Sequence, residues 1–156
     1  MKRLIDVVIE SKVLDHRGIH GVSHWARVML NGEMLHRHHP EIDLHVVKLF
    51  AVLHDCKRVC DSGDHDHGIR AADWLVTQNN ILFKTTPIQL SQLVRACRGH
   101  TLEKFTDDIT VQACWDSDRL DIGRCKEIVD TSFLGTPAAK LDEVVAHAIA
   151  RSRKYL

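Results

Sequence analysis

The chain predicts an all-α fold, on three observations. Apolar residues recur at helical spacing along most of its length, strand-like alternation is nearly absent, and the three prolines stand at 40, 87 and 137, where helices can begin. No repeat, low-complexity tract or linker interrupts the pattern. With 156 residues, one domain spanning 1–156 and one compact helical bundle are expected.

Each element has its own signal. A first helix is expected over 3–14, stopped near His16-Arg17-Gly18. A second covers 22 to 35, with Val22, Trp25 and Met29 on one face, and HRHHP breaks it at Pro40. The third, 41–55, carries Ile42, Val46, Leu49, Phe50 and Leu53, and also Leu44, Val47 and Val52. It is apolar on most sides, which marks a central, buried helix. KRVCDSGDHD at 57–66 is polar and reads as a loop. A fourth helix follows from 67 to 78, stopped by Asn79-Asn80. Thr86 caps a fifth, with Pro87 in the first helical position and Gln89 closing a capping box; Gly99 ends it. A sixth spans 108–122, and Thr136-Pro137 opens a last helix reaching 154.

Composition narrows the function. The 21 acidic and 21 basic residues cancel, so no basic face for nucleic acid is expected. No apolar run reaches the length of a membrane span, and MKRLIDVVIE carries Asp6 inside its short apolar stretch, unlike a leader. The five cysteines lack C-x-x-C spacing and read as reduced thiols of a cytoplasmic protein. Histidine is the unusual entry, with 12 residues, and it is the commonest metal ligand.

Those histidines gain meaning at 51–58, AVLHDCKR, where a buried-looking helix runs straight into His54-Asp55. A buried charge needs a partner, and a metal ion is one. His24 in HGVSHWARV and Asp118 in WDSDRLD supply further donors, so three helices can enclose one ion inside the bundle. Neighbours on a helix point about 100° apart, so His54 and Asp55 converge only if the ion sits just past the helix end. Other residues read as ordinary structure. His36, His38 and His39 form a solvated helix end, and His20 sits in a turn. The three tryptophans are core, and Asp116 and Asp121 lie on a helix surface or pair with arginines.

The order His24, His54-Asp55, Asp118 resembles the HD-domain superfamily of metal-dependent phosphohydrolases. H-x-x-R-V at 24–28, L-H-D at 53–55 and D-x-D-R-L-D at 116–121 carry the resemblance, which spans about 18–124. It implies an all-α bundle of the HD type and a divalent ion held by His24, His54, Asp55 and Asp118. HDHGIRAADWL resembles the H-G-x-x-A-A segment of members holding a second metal. That implies His67 and His100 as further ligands, with Asp55 bridging. One or two ions per chain are expected, with Mn, Fe, Zn, Mg, Co and Ni not distinguished.

Phosphoester hydrolysis is the commonest activity the resemblance implies, here on a small phosphorylated molecule such as a nucleotide. Asp55, Lys57 and Arg58 are the catalytic candidates. Arg27 and Arg119 are candidates for substrate binding, and Asp64, His65 and Asp66 for carrying a proton. Some members carry an acidic residue near position 58, where this chain has Arg58. Two alternatives stand beside hydrolysis: a dinuclear-iron oxygenase of HD type, and a metal- or ligand-binding regulatory module without turnover. Homo-oligomerisation is left open.

Overall fold

The computed structural model describes residues 1–153. Among them lie seven α-helices: α1 (Lys2–Ser11), α2 (Val22–His38), α3 (Leu44–Leu53), α4 (His67–Gln78), α5 (Pro87–Gly99), α6 (Ile109–Arg119) and α7 (Asp142–Arg153). Three short 3₁₀ turns, Ile122–Cys125, Thr131–Phe133 and Ala138–Lys140, fill the connection from α6 to α7. The described residues contain no strand; Asn79 and Phe83 make one isolated bridge.

α3 is the axis. Val46, Val47, Leu49, Phe50, Ala51, Val52 and Leu53 are all buried in it, and α1, α2, α5 and α6 pack around it. Fully burying one side chain of the size of Leu49 or Phe50 contributes about 1.5–3 kcal/mol. α4 lies against α5, and α7 closes over α2 and the 3₁₀ turn at Ile122–Cys125. The capping box at Thr86 is present in both directions, as its sequence requires.

The ends of several helices differ from expectation, each for a local reason. α1 stops at Ser11, short of 14. Lys12 is extended and its ammonium donates to the His20 carbonyl at 2.6 Å. α2 runs three residues past 35, through His36, Arg37 and His38, because basic groups suit the negative end of a helix. His39, which precedes Pro40, leaves the helical region. α3 begins at Leu44 because the Asp43 side chain accepts the amides of His45 and Val46. It ends at Leu53, so His54 and Asp55 lie in the turn that follows. Asp108 caps α6 in the same way, and that helix ends at Arg119.

The last helix is corrected most. Thr136 gives its backbone N–H and its hydroxyl to Asp116, both at 2.7 Å. That anchors 136–137 against α6, and Pro137 opens only a 3₁₀ turn. Leu141 is extended, and α7 starts at Asp142. Lys154, the expected end, lies outside the described residues.

Candidate metal centre

Past the end of α3, the six candidate ligands meet. His24 comes from the first turn of α2, His54 and Asp55 from the turn after α3, and His67 from the start of α4. His100 follows α5, and Asp118 closes α6. His24, His54, Asp55, His67 and His100 are buried, and Asp118 is partly so.

The imidazoles are oriented from behind. His54 Nδ1 faces the Phe50 carbonyl at 3.0 Å, His100 Nδ1 the Cys97 carbonyl at 2.7 Å, and His67 Nδ1 the Asp64 carbonyl. A carbonyl only accepts, so each of these Nδ1 atoms carries the hydrogen. His24 Nδ1 donates to Asp121 Oδ2 at 2.7 Å. Four Nε2 atoms are therefore turned inward, the arrangement by which a carboxylate or carbonyl orients a metal-bound histidine.

Inward they form two sets, divided by Asp55. On one side His24 Nε2 lies 3.1 Å from His54 Nε2 and 3.3 Å from Asp118 Oδ1. Asp55 Oδ2 is 3.4 Å from His54 Nε2 and 3.7 Å from His24 Nε2. On the other side His67 Nε2 and His100 Nε2 are 2.8 Å apart, and Asp55 Oδ1 is 3.0 Å from the first and 3.8 Å from the second. Donors bonded to one ion at about 2.1 Å stand about 3.0–3.4 Å from each other in octahedral or tetrahedral geometry. The distances within the two sets run from 2.8 to 3.8 Å and bracket that spacing.

Electrostatics point the same way. Burial alone would raise the carboxyl of Asp55, but the imidazoles of His54, His100 and His20 outweigh it and hold it well below the usual range. Asp118 is likewise raised by burial but held well down by His24, His54 and Arg124. Burial lowers His24 and His100. It also opposes protonation of His54, where the Asp55 carboxylate wins and moves the group upward. Without an ion, each facing pair of Nε2 atoms needs one shared proton. Among the described residues Asp118 Oδ1 is buried and has no hydrogen-bond partner, which suits an oxygen facing a cation. The donor set, two imidazole pairs around a shared carboxylate with a second carboxylate on one side, fits a divalent metal.

A cleft of about 310 Å³ opens onto Asp55, His67, His100 and Asp118. Arg58 lines it, with Nε buried, unpartnered and 3.7 Å from Asp55 Oδ1. Arg119 lines it too, but its guanidinium donates to the carbonyls of Glu103, Lys104 and Phe133. Lys57 is carried elsewhere, its ammonium 4.2 Å from the Trp74 ring centre. Arg27 lies behind the donors, with Nε on Asp121 Oδ1 at 2.7 Å. Among the proton-carrier candidates, Asp64 is tied to Arg70 and to the Val59 amide, and His65 and Asp66 are exposed.

Of three further residues, only His20 joins the cleft against expectation. His20 is buried, and its Nδ1 donates to Asp55 Oδ2 at 2.9 Å, so its turn brings it into the cleft. Asp121 is buried and pairs with Arg27, one of the two roles expected of it, and it also accepts from His24. Asp116 is also buried, away from the metal donors, and holds Gly135 and Thr136. Arg124, with Nη2 3.7 Å from Asp118 Oδ1, carried no sequence signal. Comparison with protein-family models, with curated proteins and with solved structures finds no match for this chain.

Proposed function

We propose that the chain is a metal-dependent phosphohydrolase of HD type, acting on a small phosphate ester and holding two divalent ions. One observation carries the reading: Asp55 offers one oxygen to the His24, His54 and Asp118 set and the other to the His67 and His100 set. Divalent ions held there would supply Lewis acidity and activate water near neutral pH. Asp55 fixes the spacing of the two sets, and its own orientation is held by His20. Arg58 and Arg124 present guanidinium N–H groups to the cleft that can neutralise phosphoryl oxygens. His20 lines the cleft beside Asp55 and holds a hydrogen at Nδ1.

These arginines suit an anionic phosphoryl group, and the oxygenase alternative, which cleaves carbon–carbon or carbon–phosphorus bonds, differs in needing iron and dioxygen. The test is elemental analysis of untagged protein beside turnover of a phosphomonoester panel. Wild type is expected to hold two ions per chain, His67→Ala one, and Asp55→Ala neither. Hydrolysis is expected to fall at least about a hundredfold in Asp55→Ala. Iron with dioxygen uptake and no ester cleavage would favour the oxygenase. Full metal loading without turnover would favour a binding module. Equal metal content in all three proteins would remove the proposal.

A further inference from the structure

Where the chain leaves α6 it encloses a second cavity, of about 260 Å³, lined by Arg119, Ile122, Glu127, Ile128, Asp130 and Phe133. Arg119 and Ile122 also line the metal cleft, so cavity and cleft are neighbours. The apolar walls are Ile122, Ile128 and Phe133. Ile128 is 82% exposed and Phe133 49%. A single exposed apolar side chain is ordinary, but several gathered around a cavity beside a cleft are the usual lining of a ligand pocket.

The polar groups of the cavity narrow its ligand. Arg119 gives its terminal nitrogens to the carbonyls of Glu103, Lys104 and Phe133, so they brace the wall. Lys104 holds its ammonium 4.0 Å from the Phe133 ring centre. Asp130 accepts the Ser132 amide at 2.8 Å, and Glu127 is exposed. A sugar would find few free donors here, and the two carboxylates repel a second anion. An uncharged ring meets neither obstacle, and Phe133 supplies a ring for stacked or edge-on contact. A cavity of about 150 Å³ holds benzene, so this one has room for a single or fused ring.

We propose that this cavity is the leaving-group pocket of the site and takes an uncharged aromatic group, while the phosphoryl group lies on the metal donors. Water oxygen bonds to phosphorus as the phosphorus–oxygen bond to the aromatic group breaks, and the departing oxygen leaves with the proton that water gives up. The placing of the phosphoryl group rests on the hydrolase reading; the apolar pocket does not.

The test is calorimetric titration of the zinc-loaded full chain with methylphosphonate and with phenylphosphonate. Both carry the same anionic group, neither has an ester bond, and zinc has no redox chemistry. Wild type is expected to bind the phenyl compound at least about tenfold more tightly. Ile128→Ser with Phe133→Ser changes two surface-reaching side chains and no metal donor. It should bring the two affinities within about threefold, with methylphosphonate still bound and metal content at the wild-type level. Ile128→Ser alone should shift the ratio in the same direction. Equal affinities in wild type, no binding of either compound, or a phenyl preference that survives both substitutions overturns the proposal. So does a wild-type dimer without phenyl preference that the two substitutions dissociate, which assigns the face to a second copy. Turnover of the ester panel is read separately. Phenyl preference without ester cleavage keeps the pocket and removes the hydrolase reading. Cleavage without phenyl preference keeps the hydrolase and removes the pocket.

Discussion

His24 turns Nε2 toward the other candidate ligands because Asp121 holds its other nitrogen. The Asp121 carboxylate accepts His24 Nδ1–H and Arg27 Nε–H at 2.7 Å each, so it fixes one tautomer and one ring angle. Asp121→Asn keeps the shape but presents an amide that can donate as well as accept, which releases the tautomer. Metal affinity is expected to fall roughly 10–100-fold, measured by competition with a chelating dye, with little change in the helical circular dichroism. The candidate ligands are legible as residue types in order along the chain. Their supports are not. Asp121 lies 97 residues from His24, and His20 lies 35 from Asp55, and no local pattern announces either pairing. Lys57 and Arg58 are neighbours with the same charge, yet one covers Trp74 and the other lines the cleft. That division follows from the turn after α3, whose geometry the sequence does not display.

At the scale of elements, the second half of the site depends on how closely α4 approaches α5. Gly68 makes this possible. A methyl group there would collide with the Cys97 carbonyl oxygen and lie 3.0 Å from the His100 ring. Cys97 is also the acceptor that orients His100. Gly68→Ala is therefore expected to cost about 1–3 kcal/mol in chemical denaturation and to lower metal content toward one ion per chain. Retention of two ions at wild-type stability would show that the contact is slack. The helical pattern located all seven helices. It failed at their ends, because Asp43, Asp108 and the Thr136–Asp116 contact decide those, and only the capping box at Thr86 has a strong enough signature. The last helix departs most from its local signal. Thr136-Pro137 suits a helix start on local grounds, but Asp116, buried 20 residues earlier, claims Thr136 for a turn.

For the whole molecule, the site couples stability to pH through groups that move in opposite directions. His24 and His100 are lowered, so they add stability above the unfolded value of about 6.5, and that contribution fades as pH falls through their folded values. His54 is raised, so it adds stability below about 6.5 and loses it as pH rises through its folded value. Asp55 and Asp118 are held down, so their contribution is present above about 4 and lost in stronger acid. The melting temperature of the chelated protein is expected to peak near pH about 6.5 and to drop again below about 4. Loaded protein should instead gain stability steadily from pH 5 to 7, because ions displace the protons on the Nε2 atoms. Identical profiles with and without metal would contradict the assignment of those nitrogens.

The same geometry has a temporal consequence. The donors are strung from His24 to Asp118, and Asp121 must arrive before His24 is oriented. A growing chain therefore holds no complete site until most of its length has emerged, and the contacts that build it are among the slow, long-range ones. An ion held by these donors would enter late and lock the bundle around α3, unlike the zinc that nucleates a finger.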